Sequence, residues 1–161
     1  MSISYSEFSQ LKVQRNRAEN GRQVEPKSPT TSAGPKGTGN PSKIELVQAM
    51  EAAAFSGHWE KFKSFLTDDV YYKVGNTAEV RGPQAIVAYM IKLLSTELAI
   101  NDLQIRAAWE TENEVILELN MKGLRMHDNR NVSYPCVDVY RFEGDKIRDW
   151  RVYPIEPTYI V

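Results

Sequence analysis

The chain contains little sulfur, few histidines and no long apolar run. Cys136 is the single cysteine among 161 residues, which excludes an intramolecular disulfide and a cysteine-based zinc site. His58 and His127 have neither a carboxylate nor a second histidine at metal-ligand spacing. No apolar run reaches the roughly eighteen residues that a membrane helix requires. We therefore expect no metal and no membrane span.

The chain has no strong excess of either charge, and it lacks a phosphate-binding loop. The net charge is −1, with +3 on residues 1–41 and −4 on residues 42–161. A mildly acidic domain argues against a nucleic-acid partner, because phosphate binding needs clustered cations. Gly34, Gly37 and Gly39 lack the strand and helix that flank a nucleotide-binding loop, so no cofactor is expected. The N-terminus lacks the apolar core of a secretory signal, and we expect a cytoplasmic protein.

The composition divides the chain into a tail and one folded domain. Residues 26–41, PKSPTTSAGPKGTGNP, hold four prolines, three glycines and five serines or threonines, which is typical of a flexible linker. Residues 3–24 favour a disordered tail, with a marginal helix as the alternative. The boundaries are therefore a tail and linker over 1–41 and a domain over 42–161.

The order of patterns in the domain is helices first and long strands afterwards. Ser42, with Glu45 three residues later, predicts the start of a helix that ends near Phe55. A second helix is predicted from about His58 to Leu66, and a third begins at Pro83. Strands are predicted over 69–74, near 78–80, and from Ile100 onward with alternating apolar residues. This order indicates an α+β fold, with the helices packed on one face of a curved, mostly antiparallel sheet.

The most informative segment is the hairpin over Tyr134–Pro154. Because strand side chains alternate, Asp138 is expected on the same face as its aromatic neighbours Tyr134 and Tyr140, and Trp150 on the corresponding face of the return strand together with Arg148. A carboxylate on an apolar face has a raised pKa, which suits proton transfer near neutral pH. The alternative is that Asp138 pairs with Arg141 or Arg151, or caps a backbone group.

Two segments of the domain carry a family resemblance. LTDDVYYKV…VRGPQAI over 66–86 and VDVYRFEGDKIRDWRVY over 137–153 resemble the SnoaL-like branch of the nuclear-transport-factor-like superfamily. The resemblance covers roughly residues 43–155. It implies a cone-shaped α+β fold, with an apolar pocket between the helices and the concave sheet, and frequently a homodimer formed through the outer face of the sheet.

The resemblance also indicates where this chain departs from its catalytic relatives. Positions that hold an arginine and two aspartates in limonene-epoxide-hydrolase-like members fall on Leu119, Met121 and Val152, all of which are apolar. The acid of SnoaL-like polyketide cyclases also falls on Val152. A tyrosine and an asparagine that orient water in the hydrolases fall on Tyr72 and Val74, so only the tyrosine is kept.

Two functions stay open at this point. The first is a pocket that binds a small hydrophobic molecule and performs isomerase- or cyclase-type chemistry without a cofactor, with Asp138 as acid or base and Tyr72 or Tyr140 as donor to an enolate. The second is a non-catalytic ligand-binding or dimerisation module. The same aromatic residues are commonly core residues. The expected ligand contacts are Trp150, Trp109, Tyr134, Met121, Leu119 and Val152.

Overall fold

The computed structural model describes residues 41–155 and 158–159. The predicted tail and linker therefore lie outside the described residues, apart from Pro41. Three helices are described: α1 (Lys43–Phe55), α2 (Trp59–Ser64) and α3 (Pro83–Thr96). The strands are β1 (Leu66–Val74), β2 (Val80–Arg81), β3 (Leu98–Glu110), β4 (Glu114–Arg125), β5 (Arg130–Glu143), β6 (Lys146–Pro154) and β7 (Thr158–Tyr159).

Local sequence explains where the first helix begins and ends. The Ser42 hydroxyl accepts from the Glu45 backbone at 3.2 Å, and the Glu45 carboxylate accepts from the Ser42 backbone at 2.8 Å. This reciprocal cap, predicted from the sequence, satisfies two amides that the first turn leaves without partners. The helix ends before Gly57, whose φ of +68° is costly for residues with a side chain. None of the helices in residues 41–155 has the length and hydropathy of a bilayer-spanning segment.

The strands form one mixed sheet, as the predicted α+β class requires. Their order is β2-β1-β6-β5-β4-β3, with β7 pairing with β5. Every pairing is antiparallel except that of β1 with β6, which is parallel. The helices cover one face, since α1 contacts β3 and β4, and α3 contacts β1, β2 and β3. The core lies between the helices and this face.

Two irregularities in strand register change which side chains face the helices. The pairing of β3 with β4 shifts between Ile105 and Ala107, so strict alternation along β3 ends there. The pairing of β5 with β6 shifts next to Phe142, and Ile147 rather than Arg148 becomes buried. Placing Arg148 on the face of Trp150 was therefore wrong, because an added residue in one strand reverses the facing of those beyond it.

Candidate functional site

Asp138 lies on the inner face of β5 and is buried, with 4% of its surface exposed. The Trp150 indole donates to its Oδ2 at 3.0 Å, and the Tyr140 hydroxyl lies 3.1 Å from the same oxygen. Its Oδ1 is buried and has no partner at hydrogen-bonding geometry among residues 41–155. Arg141 and Arg151 engage other carboxylates, including Asp149. The alternative in which Asp138 pairs with either arginine is therefore wrong.

Strand pairing places three aromatic side chains around this carboxylate. Tyr72 of β1 pairs with Trp150 of β6, which in turn pairs with Tyr140 of β5. The Trp150 ring is stacked on Tyr140, with ring centres 5.3 Å apart, and meets Tyr72 edge-on at 4.7 Å. These contacts hold the indole nitrogen at Asp138 and restrict its rotation.

A second buried carboxylate, Glu51, was missed from the sequence. It lies on the buried side of α1, with 8% of its surface exposed, and its Oε1 is 2.7 Å from the Tyr140 hydroxyl. Its spacing, four residues after Val47 and three before Ala54, places it on the apolar side of the helix. That spacing was the available signal. An acid is rarely buried without a polar partner, so an acid on the apolar side of a helix indicates such a partner elsewhere in the fold.

Burial raises the pKa of both acids, since removal from water disfavours a charge. Burial raises the pKa of Asp138 from 3.8 to about 6. Hydrogen bonds from Trp150 and Tyr140, and a weaker one from the Cys136 thiol, limit this rise. Burial, and to a lesser extent the charge of Asp138, raise the pKa of Glu51 from 4.5 to about 8. The hydrogen bond with Tyr140 limits this rise. At neutral pH, Glu51 is therefore mostly protonated and Asp138 mostly ionised.

The neighbouring tyrosines and thiol stay protonated at the same pH. Burial, and secondarily the nearby carboxylates, raise the pKa of Tyr72 and Tyr140 well above the usual range. The pKa of Cys136 is also raised, chiefly by burial, and its side chain is 1% exposed. Phenols in this state act as neutral hydrogen-bond donors.

A cavity of about 120 Å³ includes Asp138 in its lining. Its volume approaches that of an apolar cavity of roughly 150 Å³ known to hold benzene. Phe55, one of its lining residues, leaves 38% of its surface exposed. Apart from two carboxylates the lining is apolar or aromatic: Glu51, Ala54, Phe55, Tyr72, Val74, Met90, Leu93, Leu94, Ile100, Leu103, Leu119, Met121, Asp138, Trp150 and Val152.

The structure brings six of the nine predicted site residues to this cavity. They are Asp138, Tyr72, Trp150, Leu119, Met121 and Val152. Tyr140 is fully buried and is not part of the lining, but it contacts the lining residues Glu51, Asp138 and Trp150. Tyr134 is half-buried beside Met121 but is not part of the lining.

Trp109 lies away from the cavity, contrary to the position expected for a ligand contact. Its side chain is 53% exposed. The register shift in β3 is the reason, because Ala108 rather than Trp109 pairs with the buried Leu117. Strict alternation from Leu103 had placed Trp109 on the inner face.

The described residues contain no group of three or more histidine, cysteine, aspartate or glutamate side chains arranged to hold a metal. The cavity carboxylates lie among apolar and aromatic groups rather than among further oxygen ligands, a donor set that hard cations do not favour.

Comparisons with known proteins agree on the fold. A family model described as a SnoaL-like domain matches residues 47–150. A Catenulispora acidiphila protein with a ketosteroid isomerase-like fold, solved in complex with trimethylamine, has 18% identity and a TM-score of 0.60, over 68% of this chain and 84% of its own. An LEH-like epoxide hydrolase from M. tuberculosis has 17% identity and a TM-score of 0.58, over 70% of this chain and 82% of its own.

A third similar structure is an NTF2-like protein from Burkholderia xenovorans, with 17% identity and a TM-score of 0.62, over 70% of this chain and 88% of its own. No curated protein has a significant sequence match to the chain.

Proposed function

The chain belongs to the SnoaL-like domain family, and from that premise we propose that its cavity binds a small apolar carbonyl compound on which Asp138 performs acid–base chemistry. The observation that carries this proposal is that Asp138, a buried carboxylate with one oxygen lacking a hydrogen-bond partner among the described residues, belongs to the lining of an apolar cavity. A carboxylate whose pKa is near the working pH is both sufficiently ionised and sufficiently basic.

The proposed reaction is an isomerisation through an enolate. The Asp138 carboxylate takes a proton from the carbon next to the carbonyl group, and the electrons of that C–H bond form the enolate double bond. Tyr72, a neutral donor in the lining, stabilises the negative enolate oxygen by hydrogen bonding. Protonated Asp138 then returns the proton to a different carbon, so the reaction needs no oxidant, reductant or cofactor.

The size of the cavity limits the substrate class. A volume of about 120 Å³ suits a six-membered ring with few substituents. Leu119, Met121 and Val152 line the cavity where related enzymes carry charged catalytic residues, so hydrolysis of an epoxide is not the proposed chemistry. We expect a compact, apolar ketone with a C–H bond acidified by its carbonyl group.

The proposal is tested with the β,γ-isomer of cyclohexenone, whose conversion to the conjugated isomer is followed by ultraviolet absorption. Asp138→Asn should reduce the rate by at least about 100-fold, the usual contribution of a positioned base. Asp145→Asn is the matched control, because Asp145 is exposed in the turn between β5 and β6. If both variants convert the ketone as fast as the original protein, the proposed function is wrong.

A second candidate function is non-catalytic binding of a small alkylammonium ion. The lining contains the Asp138 carboxylate and the aromatic side chains of Tyr72 and Trp150, and groups of these kinds attract such a cation. The relative from Catenulispora acidiphila was solved with trimethylamine, a ligand of this class. Calorimetry with trimethylammonium and with uncharged tert-butanol separates the two functions. Only a cation site should bind trimethylammonium more tightly than tert-butanol, and Asp138→Asn should abolish that preference.

The predicted homodimer remains a prediction. Trp109 and Tyr153 leave about half of their surfaces exposed, 53% and 50% respectively. We propose that a second copy covers this outer side of the sheet. Light scattering of purified protein, with Trp109→Arg as the disrupting variant, tests this; a monomeric original protein would contradict it.

A further inference from the structure

One hydroxyl group lies between the two buried carboxylates. The Tyr140 oxygen is 2.7 Å from Glu51 Oε1 and 3.1 Å from Asp138 Oδ2, and both distances are typical of hydrogen bonds. A tyrosine hydroxyl has a single hydrogen, so it donates to only one of these oxygens. The other contact is a hydrogen bond only if that carboxyl group is protonated and donates to Tyr140. The geometry therefore requires one additional proton in the unit.

The second hydrogen bond to Asp138 indicates where that proton lies. The Trp150 indole donates to Asp138 Oδ2, the oxygen that also faces Tyr140. Two donors on one oxygen stabilise its ionised form. The proton is therefore held by Glu51, which donates to Tyr140, and Tyr140 in turn donates to Asp138. The pKa values agree with this assignment, because the pKa of Glu51 is higher than that of Asp138.

The groups packed around this unit do not supply a positive charge. Cys136 of β5 and Tyr72 of β1 face the carboxylates, and Tyr89 of α3 lies beyond Tyr72. All three are neutral at physiological pH. Among residues 41–155, neither carboxylate forms an ion pair with a lysine, arginine or histidine. Hydrogen bonds rather than ion pairs therefore stabilise the buried charge.

We propose that Glu51 is a positioning residue that acts on Asp138 through Tyr140. While Glu51 is protonated, the Tyr140 hydroxyl donates its hydrogen to Asp138, and this bond keeps the Asp138 carboxylate ionised in the cavity lining. When Glu51 ionises, Tyr140 turns to Glu51, and Asp138 loses a donor beside a second negative charge. The inference rests on the proposed function only in treating Asp138 as the base.

The Trp150 indole N–H provides a direct test, because its NMR shift reports the charge of the Asp138 oxygen that accepts from it. The chain has three tryptophans, so Trp150→Phe identifies the signal by its loss. In the full-length protein without ligand, the signal should move in two steps, near pH 6 and near pH 8. Glu51→Gln should keep the lower step and lose the upper one, because the introduced side-chain amide donates to Tyr140 at every pH.

Tyr140→Phe separates transmission through the hydroxyl from a direct effect of charge. It should diminish the upper step, since the hydrogen-bond link is lost while both carboxylates remain. A single step in the original protein, an upper step retained in Glu51→Gln, or an undiminished upper step in Tyr140→Phe would each overturn the proposal. The titration uses no substrate, so inactivity towards cyclohexenone leaves this result unaffected, and the two proposals fail separately.

Discussion

Replacing Glu51 with glutamine should make the stability of the domain less dependent on pH. The pKa of Glu51 is about 8 in the folded protein and near 4.5 when exposed. Below pH 4.5 the group is protonated in both states. Between pH 4.5 and 8 the unfolded chain is ionised while the folded protein retains the proton, so rising pH favours unfolding. Above pH 8 both states are ionised and the dependence ends.

The magnitude follows from the difference between the two pKa values. At about 1.4 kcal/mol for each pH unit, the rise from 4.5 to about 8 reduces the free energy of unfolding by about 5 kcal/mol. Asp138 adds a smaller loss of the same sign between pH 3.8 and about 6, which the glutamine variant retains. Glutamine removes only the contribution of Glu51.

Urea denaturation followed by tryptophan fluorescence at pH values from 5 to 9 measures this effect. From pH 5 to pH 9, the stability of Glu51→Gln relative to the original protein should increase by about 4 kcal/mol. Glu118→Gln, the same change at an exposed position on β4, should give a constant difference. A difference for Glu51→Gln that is also constant across this range would refute the reasoning.

Three further changes have expected results that thermal or chemical denaturation checks. Gly123→Ala should destabilise the domain by about 1–3 kcal/mol, because the added carbon would lie 2.5 Å from the Ala99 backbone oxygen; an unchanged melting temperature would contradict this. Trp150→Phe should raise the pKa of Asp138 and cost about 1.5–3 kcal/mol above pH 6, where the lost hydrogen bond was to a charged group; equal stability at pH 8 would argue against that bond. Ser42→Ala should lower the free energy of unfolding by about 1 kcal/mol through loss of the α1 cap, whereas Ser42→Asp should retain most of the stabilisation that the cap provides.

The parts of the fold that depend on local chemistry were predictable from the sequence. The Ser42 cap is specified by residues three positions apart and lies where it was expected. The hairpin predicted over Tyr134–Pro154 is also present, with β5 paired to β6 and Glu143 opposite Lys146. The inward facing of Asp138 followed from simple alternation along β5, which has no register shift between Arg130 and Arg141 in its pairing with β4. Local rules succeed where the backbone remains regular.

The errors arise from features that depend on distant parts of the chain. The position of Trp109 is set by a shift in the pairing of β3 with β4, and alternation within β3 alone does not reveal it. Glu51 contacts Tyr140, 89 residues later in the chain, and this partner exists only once α1 packs on the sheet. The helical spacing of Glu51 was a local signal that was missed, whereas its partner Tyr140 could not be identified from local spacing.

The position of β6 between β1 and β5 determines when this domain can become complete during synthesis. The backbone of Ile147 donates to Phe65 at 2.8 Å, and Gly75 donates to Val152 at 2.8 Å, so the last long strand is inserted beside the first one. A nascent chain that ends before β6 has β1 and β5 with exposed inner edges and no Trp150 between them. Such long-range pairing is slow to form, and unpaired edges favour association with other chains. In newly made copies the sheet therefore cannot close until β6 has emerged from the ribosome.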